Sequence, residues 1–149
     1  MQTRFNLLSF LVFILLLIIS SCRRINNEGK INLTRIQLQC SRMENCEIDL
    51  TKVTDFEWDT LFVFNAMATP EEVRRVSCGR ATWKDLTSQY YFVHNGVVVY
   101  EEHFRYNPER SRIITFDLGK NNFGVFLSTD KFVITKPYPE KEHFVLRQK

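Results

Sequence analysis

Residues 90–104 have the sequence YYFVHNGVVVYEEHF, which predicts a β-hairpin. Both arms are rich in aromatic and β-branched residues, which favour strands. The Asn95-Gly96 pair between them suits the positive φ angles of a type I′ turn. Short connections between strand-like segments favour an antiparallel meander of about five to seven strands. The other strand-like segments lie at residues 47–50, 60–64, 113–118, 123–128, 132–135 and 144–146.

One principal helix is predicted just before this hairpin. Thr69 suits the N-cap, Pro70 suits the first helical position, and Glu72 completes a capping box. Gly79 is the residue expected to end the helix in a left-handed conformation. The fold class predicted from these patterns is α+β, with an antiparallel β-sheet and one principal short helix.

Two of the four cysteines lie at the two ends of the first predicted turn. Residues 31–40 alternate between apolar and polar with one phase slip, which predicts a strand with a bulge. Cys40 and Cys46 flank a polar spacer, so a disulfide across a hairpin is sterically reasonable. Pairing of either cysteine with Cys78, or three free thiols, stays an alternative. Cys78 is predicted to be a buried structural cysteine, because a helix C-terminus opposes a reactive thiolate.

The N-terminal segment has the order of a secretory signal. Arg4 supplies the positive charge, residues 7–19 are almost entirely apolar, and two serines precede Cys22. Residues 19–22, Ile-Ser-Ser-Cys, resemble the lipobox of bacterial lipoproteins. In that family the cysteine is alkylated with diacylglycerol and becomes the mature N-terminus, so the resemblance implies lipidation of Cys22.

The lipobox resemblance also implies an organisation for the whole chain. It comprises a signal peptide at residues 1–21, a lipidated tether at 22–30 and a single globular domain at 31–149. Inner-membrane lipoproteins often carry Asp after the lipidated cysteine. Arg23 stands in that position, which favours the outer membrane facing the periplasm. An uncleaved single-pass anchor, or an ordinary signal peptide, is the alternative.

The composition argues against some classes of partner. The formal net charge is only +3 over 149 residues, which gives no support for a nucleic-acid partner. The three histidines lack the spacing of a zinc site, and no phosphate-binding glycine loop is present. We therefore expect neither a cofactor nor a metal.

The most distinctive local pattern is residues 55–59, Asp-Phe-Glu-Trp-Asp. In an extended chain its three acids share one face and its two aromatics the other. The acids could meet a basic partner, or they could form a solvated edge that deters aggregation. Consecutive tyrosines on the hairpin suggest that some aromatics face solvent, where tyrosine is favoured in recognition, although ordinary two-sided packing is the alternative. The candidate binding surface therefore comprises Asp55, Glu57, Asp59, Tyr90 and Tyr100.

The order of these motifs resembles a class of envelope protein. The acidic–aromatic segment, the capped helix and the Asn-Gly hairpin are similar to small bacterial lipoproteins without assigned function. They also look like domains of the outer-membrane assembly lipoprotein and β-lactamase-inhibitor type, which implies protein binding. We expect a membrane-anchored accessory, inhibitor or immunity module whose partner is another envelope protein, and not an enzyme. The alternative is a small envelope hydrolase that uses His103 or scattered carboxylates.

Overall fold

The computed structural model describes residues 31, 33–40, 46–105, 112–136 and 142–149. Cys22, the signal segment and the tether lie outside the described residues. In chain order the elements are helix α1 (Leu33–Cys40), β1 (Cys46–Asp49), a 3₁₀ helix (Leu50–Lys52), β2 (Thr60–Phe64), helix α2 (Pro70–Val76), β3 (Ser88–His94), β4 (Val97–Phe104), β5 (Arg112–Phe116), β6 (Phe123–Leu127), β7 (Lys131–Thr135) and β8 (Glu142–Gln148).

The strands form two four-stranded sheets. Sheet A has the order β1-β7-β8-β5, and sheet B has the order β4-β3-β2-β6. All pairs are antiparallel except β5 and β8, which are parallel. The α+β class is confirmed, as is the hairpin, whose Asn95 and Gly96 both have positive φ. The described strands number eight, and their order is not that of a single meander.

The two sheets pack face to face around one apolar core. Sheet A contributes residues such as Phe132 and Leu146, and sheet B contributes Leu61 and Phe92. A second cluster covers the opposite face of sheet B, where Phe64 and Tyr91 pack under Val73 of α2 and under Trp83. Strand β3 is therefore buried on both faces, and its five central residues are all buried.

Helix α2 begins as the sequence predicts but ends one residue earlier. Thr69 and Glu72 form the reciprocal hydrogen bonds of a capping box, with Pro70 in the first turn. The left-handed residue directly after the C-cap is Cys78, with φ of 52°, and Gly79 follows it with φ of 76°. The Gly79 N–H donates to the Arg74 carbonyl at 2.8 Å, as in a Schellman motif. Cys78 is exposed and free, so the prediction of a buried cysteine was wrong.

The segment before β1 is a helix, and the predicted strand is wrong. A strand would place Ile36 and Leu38 on the same face, whereas Ile36 is fully buried and Leu38 is 76% exposed. Helical spacing instead directs Ile36 and Cys40 to the same side of α1. A disulfide joins Cys40 to Cys46 with a Cα–Cα distance of 5.4 Å, so the expected pair lies across a helix–strand junction.

Candidate functional site

The acidic–aromatic segment is an irregular connection that leads into β2, with bends at residues 55, 56 and 59. Trp58 is buried, and its ring packs edge-on against Phe92. Phe56 makes a similar contact with the same ring, while the acids lie on the other side. Asp55 is paired with Arg35 of α1 at 3.0 Å. The predicted division of faces is present, although the segment is not a strand and Asp55 is already engaged within the chain.

The remaining two acids meet the tip of the β3–β4 hairpin. We call Glu57, Asp59, His94 and Asn95 the hairpin end. His94 lies between the two carboxylates: its Nε2 is 3.8 Å from Glu57 Oε2, and its Nδ1 is 3.8 Å from Asp59 Oδ2. The Asn95 backbone N–H donates to Asp59 Oδ2 at 2.6 Å. A segment before β2 is thereby fixed to the turn that joins β3 to β4.

Hydrogen bonding keeps the Asp59 carboxylate charged. The Asn95 N–H and the Thr60 hydroxyl, the latter at 2.8 Å, both donate to it and lower its pKa below the ordinary value. Burial acts in the opposite direction and is a smaller effect than the two hydrogen bonds, while the charges of His94 and Arg80 lower the pKa of Asp59 slightly further. Because donors that favour the ionised form dominate, Asp59 carries a negative charge at any pH near neutrality.

The Asn95-Gly96 turn is braced from a second side. Arg80, which follows α2, donates from Nε to the Gly96 carbonyl at 3.1 Å. Glu57 has the more exposed of the two carboxylates of the site, since its side chain is 92% exposed. In the described part of the chain no group of three acids, histidines or cysteines is placed to hold a metal. The arrangement suits ionic recognition, because Asp59 is fixed against a braced turn and the neighbouring Glu57 is open to solvent.

The two tyrosines assigned to the binding surface are buried, and that prediction was wrong. Tyr90 is 2% exposed, and its hydroxyl donates to the Ile114 carbonyl at 2.8 Å, across the interface between the sheets. Tyr100 is 7% exposed, and its hydroxyl donates to Glu102 at 3.3 Å. Both point into the space between the sheets, while Tyr91 points into the cluster under α2. Consecutive tyrosines are accommodated because both faces of sheet B are covered.

The residues considered for hydrolysis lie apart. Glu102 pairs with Tyr90 in the register of β3 and β4, whereas His103 pairs with Gln89, so the two side chains point to opposite faces. The His103 ring packs edge-on against Tyr91, and both ring nitrogens are buried without a hydrogen-bond partner. Burial lowers the pKa of His103 below its ordinary value, aided by Lys84 and opposed by Glu101. Glu102 and His103 therefore cannot act together on one substrate atom.

A groove of about 590 Å³ lies elsewhere, between α1 and β1. Its charged lining residues include Asp49 and Lys131, which pair with each other at 2.6 Å. Glu47, also in the lining, is paired with Lys149 at 2.7 Å. Both acids of the groove are therefore neutralised by lysines of the same chain, whereas Glu57 of the hairpin end is highly exposed. Its lining residues are Gln39, Cys46, Glu47, Ile48, Asp49, Lys52 and Lys131.

Sequence reasoning singled out Glu57 and Asp59 but missed the residues that organise them. His94 and Arg80 were not among the predicted site residues. The chain separation between Asp59 and Asn95 is 36 residues, so no local spacing signals their contact. The only available signal was the Asn-Gly turn, whose free backbone N–H groups attract carboxylates.

Comparison with known proteins does not assign the chain to a family. The chain matches no protein-family model, no curated protein and no solved structure. Among the described helices, none combines the length and the apolar character needed to cross a membrane. The sequence patterns and the geometry of the hairpin end are therefore the features that bear on function.

Proposed function

We propose that this protein is a membrane-anchored bacterial envelope lipoprotein that binds another envelope protein through the hairpin end. The lipobox-like residues 19–22 support the anchor, with Cys22 as the lipidated residue. The observation that carries the binding role is the exposed Glu57 carboxylate beside an Asp59 carboxylate held by two donors. A partner with a basic surface complements these charges.

The physical role of such a site is to steer and orient the partner. Exposed charges at the rim of an interface act mainly on the association rate and on its dependence on salt. The braced turn limits the entropy lost on binding, because Asp59 is already fixed by Asn95 and Thr60. Anchoring at one membrane face would raise the local concentration of the domain near partners in the same envelope.

Quantitative capture from solubilised envelopes tests this proposal. The full chain, Glu57→Gln and Asp85→Asn are used as baits at low and high salt. Asp85 is the matched control, because it is an exposed acid before β3, at the end opposite His94. A partner should associate about 2–5-fold more slowly with Glu57→Gln at low salt, and equally well with the control.

Two results would contradict the proposal. One is a set of captured proteins that Glu57→Gln and Asp85→Asn retain to the same extent at every salt concentration. The other is hydrolysis of an envelope substrate by the purified chain that is abolished by His103→Ala or Glu102→Gln without unfolding. The second result would establish the hydrolase alternative. Labelling of Cys22→Ser by a clickable fatty-acid analogue would separately refute the lipid anchor.

A further inference from the structure

Strand β6 forms an edge of sheet B and has no charged side chain. Its sequence is Phe-Gly-Val-Phe-Leu, residues 123–127. Charged residues are a common means of blocking unwanted pairing at sheet edges. The opposite edge, β4, carries Glu101, Glu102 and His103, and the β1 edge of sheet A carries Glu47 and Asp49. By this criterion, and among the residues that the structure describes, β6 is an edge left open for another strand.

The hydrogen bonds on either side of β6 show which of its backbone groups face outward. Asn65 N–H donates to the Asn122 carbonyl and Ser128 N–H donates to the Asp59 carbonyl, both at 2.9 Å. Even-numbered residues thus bond to β2, and the alternation directs the N–H and C=O of odd-numbered residues to the free edge. Both outward backbone groups of Leu127 are already taken by Asp130: the Leu127 N–H donates to Asp130 Oδ2 at 2.8 Å, and the Leu127 carbonyl accepts from the Asp130 N–H at 2.9 Å. Val125 is left at the centre of the edge.

The side chains at this edge are exposed and apolar. Val125 is 47% exposed and Leu127 is 53% exposed. Both lie on the outer face of sheet B, in line with Phe123, which packs against the cluster under α2. An apolar row on an unblocked edge fits a strand with apolar residues at the same spacing.

We propose that β6 pairs antiparallel with β6 of a second copy of this chain, about a two-fold axis at Val125. In this register the two Val125 residues exchange backbone hydrogen bonds, and Leu127 lies opposite the partner subunit's Phe123. The antiparallel direction also brings the Lys120 turn of one copy beside the partner subunit's Asp130. Two apolar pairs and two opposite-charge pairs then flank the axis. Because the edge is complementary to itself in this way, a second copy of the chain is the proposed partner.

The pairing is expected to be weak and concentration-dependent. Five-residue strands bury less surface than the roughly 1,000 Å² typical of a stable specific interface. It does not use the charges of the hairpin end, although the backbone of Asp59 lies next to the end of β6, where its carbonyl accepts from the Ser128 N–H. Failure of either proposal therefore leaves the other intact.

Cysteine cross-linking of the full chain in detergent tests the register. Cys78→Ser provides the background, because Cys78 is an exposed free thiol. Val125→Cys in this background should form an intermolecular disulfide under copper–phenanthroline, since Cα atoms of a hydrogen-bonded antiparallel pair lie about 5.5 Å apart. In the same register two copies of Leu127→Cys lie about 13 Å apart along the strands. Val125→Cys should therefore cross-link about tenfold faster than Leu127→Cys.

A second measurement does not depend on cysteine chemistry. Sedimentation of the otherwise unchanged chain should show a concentration-dependent dimer that Val125→Lys abolishes. Val97→Lys is the matched control, because Val97 is 65% exposed on β4, away from this edge. Lys120→Glu should weaken the dimer a few-fold at low salt, because it places two acids together. Equal cross-linking at both cysteine positions, or a dimer unaffected by Val125→Lys, would overturn the proposal, as would a chain that is monomeric at every concentration.

Discussion

Removal of the Tyr90 hydroxyl provides a direct test of how the two sheets are held together. Tyr90→Phe keeps the ring, which packs edge-on against Phe104 and Phe116, and deletes only the O–H group. That group donates at 2.8 Å from β3 of sheet B to the Ile114 carbonyl on β5 of sheet A. The substitution thus removes one polar link across the interface and leaves its apolar packing in place.

The expected cost follows from the burial of this bond. A typical intramolecular hydrogen bond contributes about 1 kcal/mol, and a buried carbonyl left without its donor costs about 1–3 kcal/mol. Tyr90 is 2% exposed, so water cannot readily replace the donor. We expect Tyr90→Phe to lower the free energy of unfolding by about 1.5–2 kcal/mol. Tyr100→Phe is the control, because its 3.3 Å bond to Glu102 is only partly buried, and we expect about 0.5 kcal/mol or less.

Urea denaturation of the full chain and both variants, followed by far-ultraviolet circular dichroism, measures these differences. A lower midpoint with an unchanged m-value would locate the effect in stability and not in the compactness of the denatured state. The reasoning would be refuted if Tyr90→Phe were as stable as the unmodified chain, or if Tyr100→Phe lost as much stability as Tyr90→Phe.

Two further predictions concern single residues. Cys78→Gly should stabilise the chain by about 0.5–1 kcal/mol, because φ of 52° strains any residue with a Cβ. Cys78→Ala should change the stability little, and equal stabilities of the two variants would contradict this prediction. The pKa of His103 is lowered from 6.5 by burial, so the unfolded state binds more protons and stability should fall as pH drops below 6.5. His103→Gln should flatten that part of the stability–pH profile, with Lys84 and Glu101 unchanged, and an unaltered profile would show that the ring is not the source.

The sequence predicted the elements whose signals are local. The Asn95-Gly96 turn accepts positive φ without strain, so the β3–β4 hairpin follows from neighbouring residues alone. The same is true of the capping box at Thr69 and Glu72, whose hydrogen bonds span three residues. The Cys40–Cys46 disulfide also lies within a short segment. In each case the physical cause of the structure lies within a few residues of its effect.

The sequence was misleading where two patterns fit one segment. Ile36 and Leu38 satisfy the alternation of a strand, and Ile36 and Cys40 equally satisfy the spacing of a helix. Packing decided between them, because Ile36 is buried in the core and Leu38 is not. The parallel pairing of β5 with β8 was likewise beyond local patterns, since it joins residues about thirty positions apart.

The candidate site likewise combines features that the local sequence predicts with features that depend on the tertiary structure. The sequence by itself predicted that Glu57 and Asp59 lie on the side opposite Phe56 and Trp58, because the alternation of side chains along a segment needs no tertiary contact. Only the tertiary structure placed His94 and Asn95 against those acids and turned Tyr90 and Tyr100 inward. The reason is that the central strands of sheet B are covered on both faces, by sheet A on one and by α2 with Trp83 on the other. A side chain is buried only if another element covers its face of the strand, and the covering elements lie far along the chain.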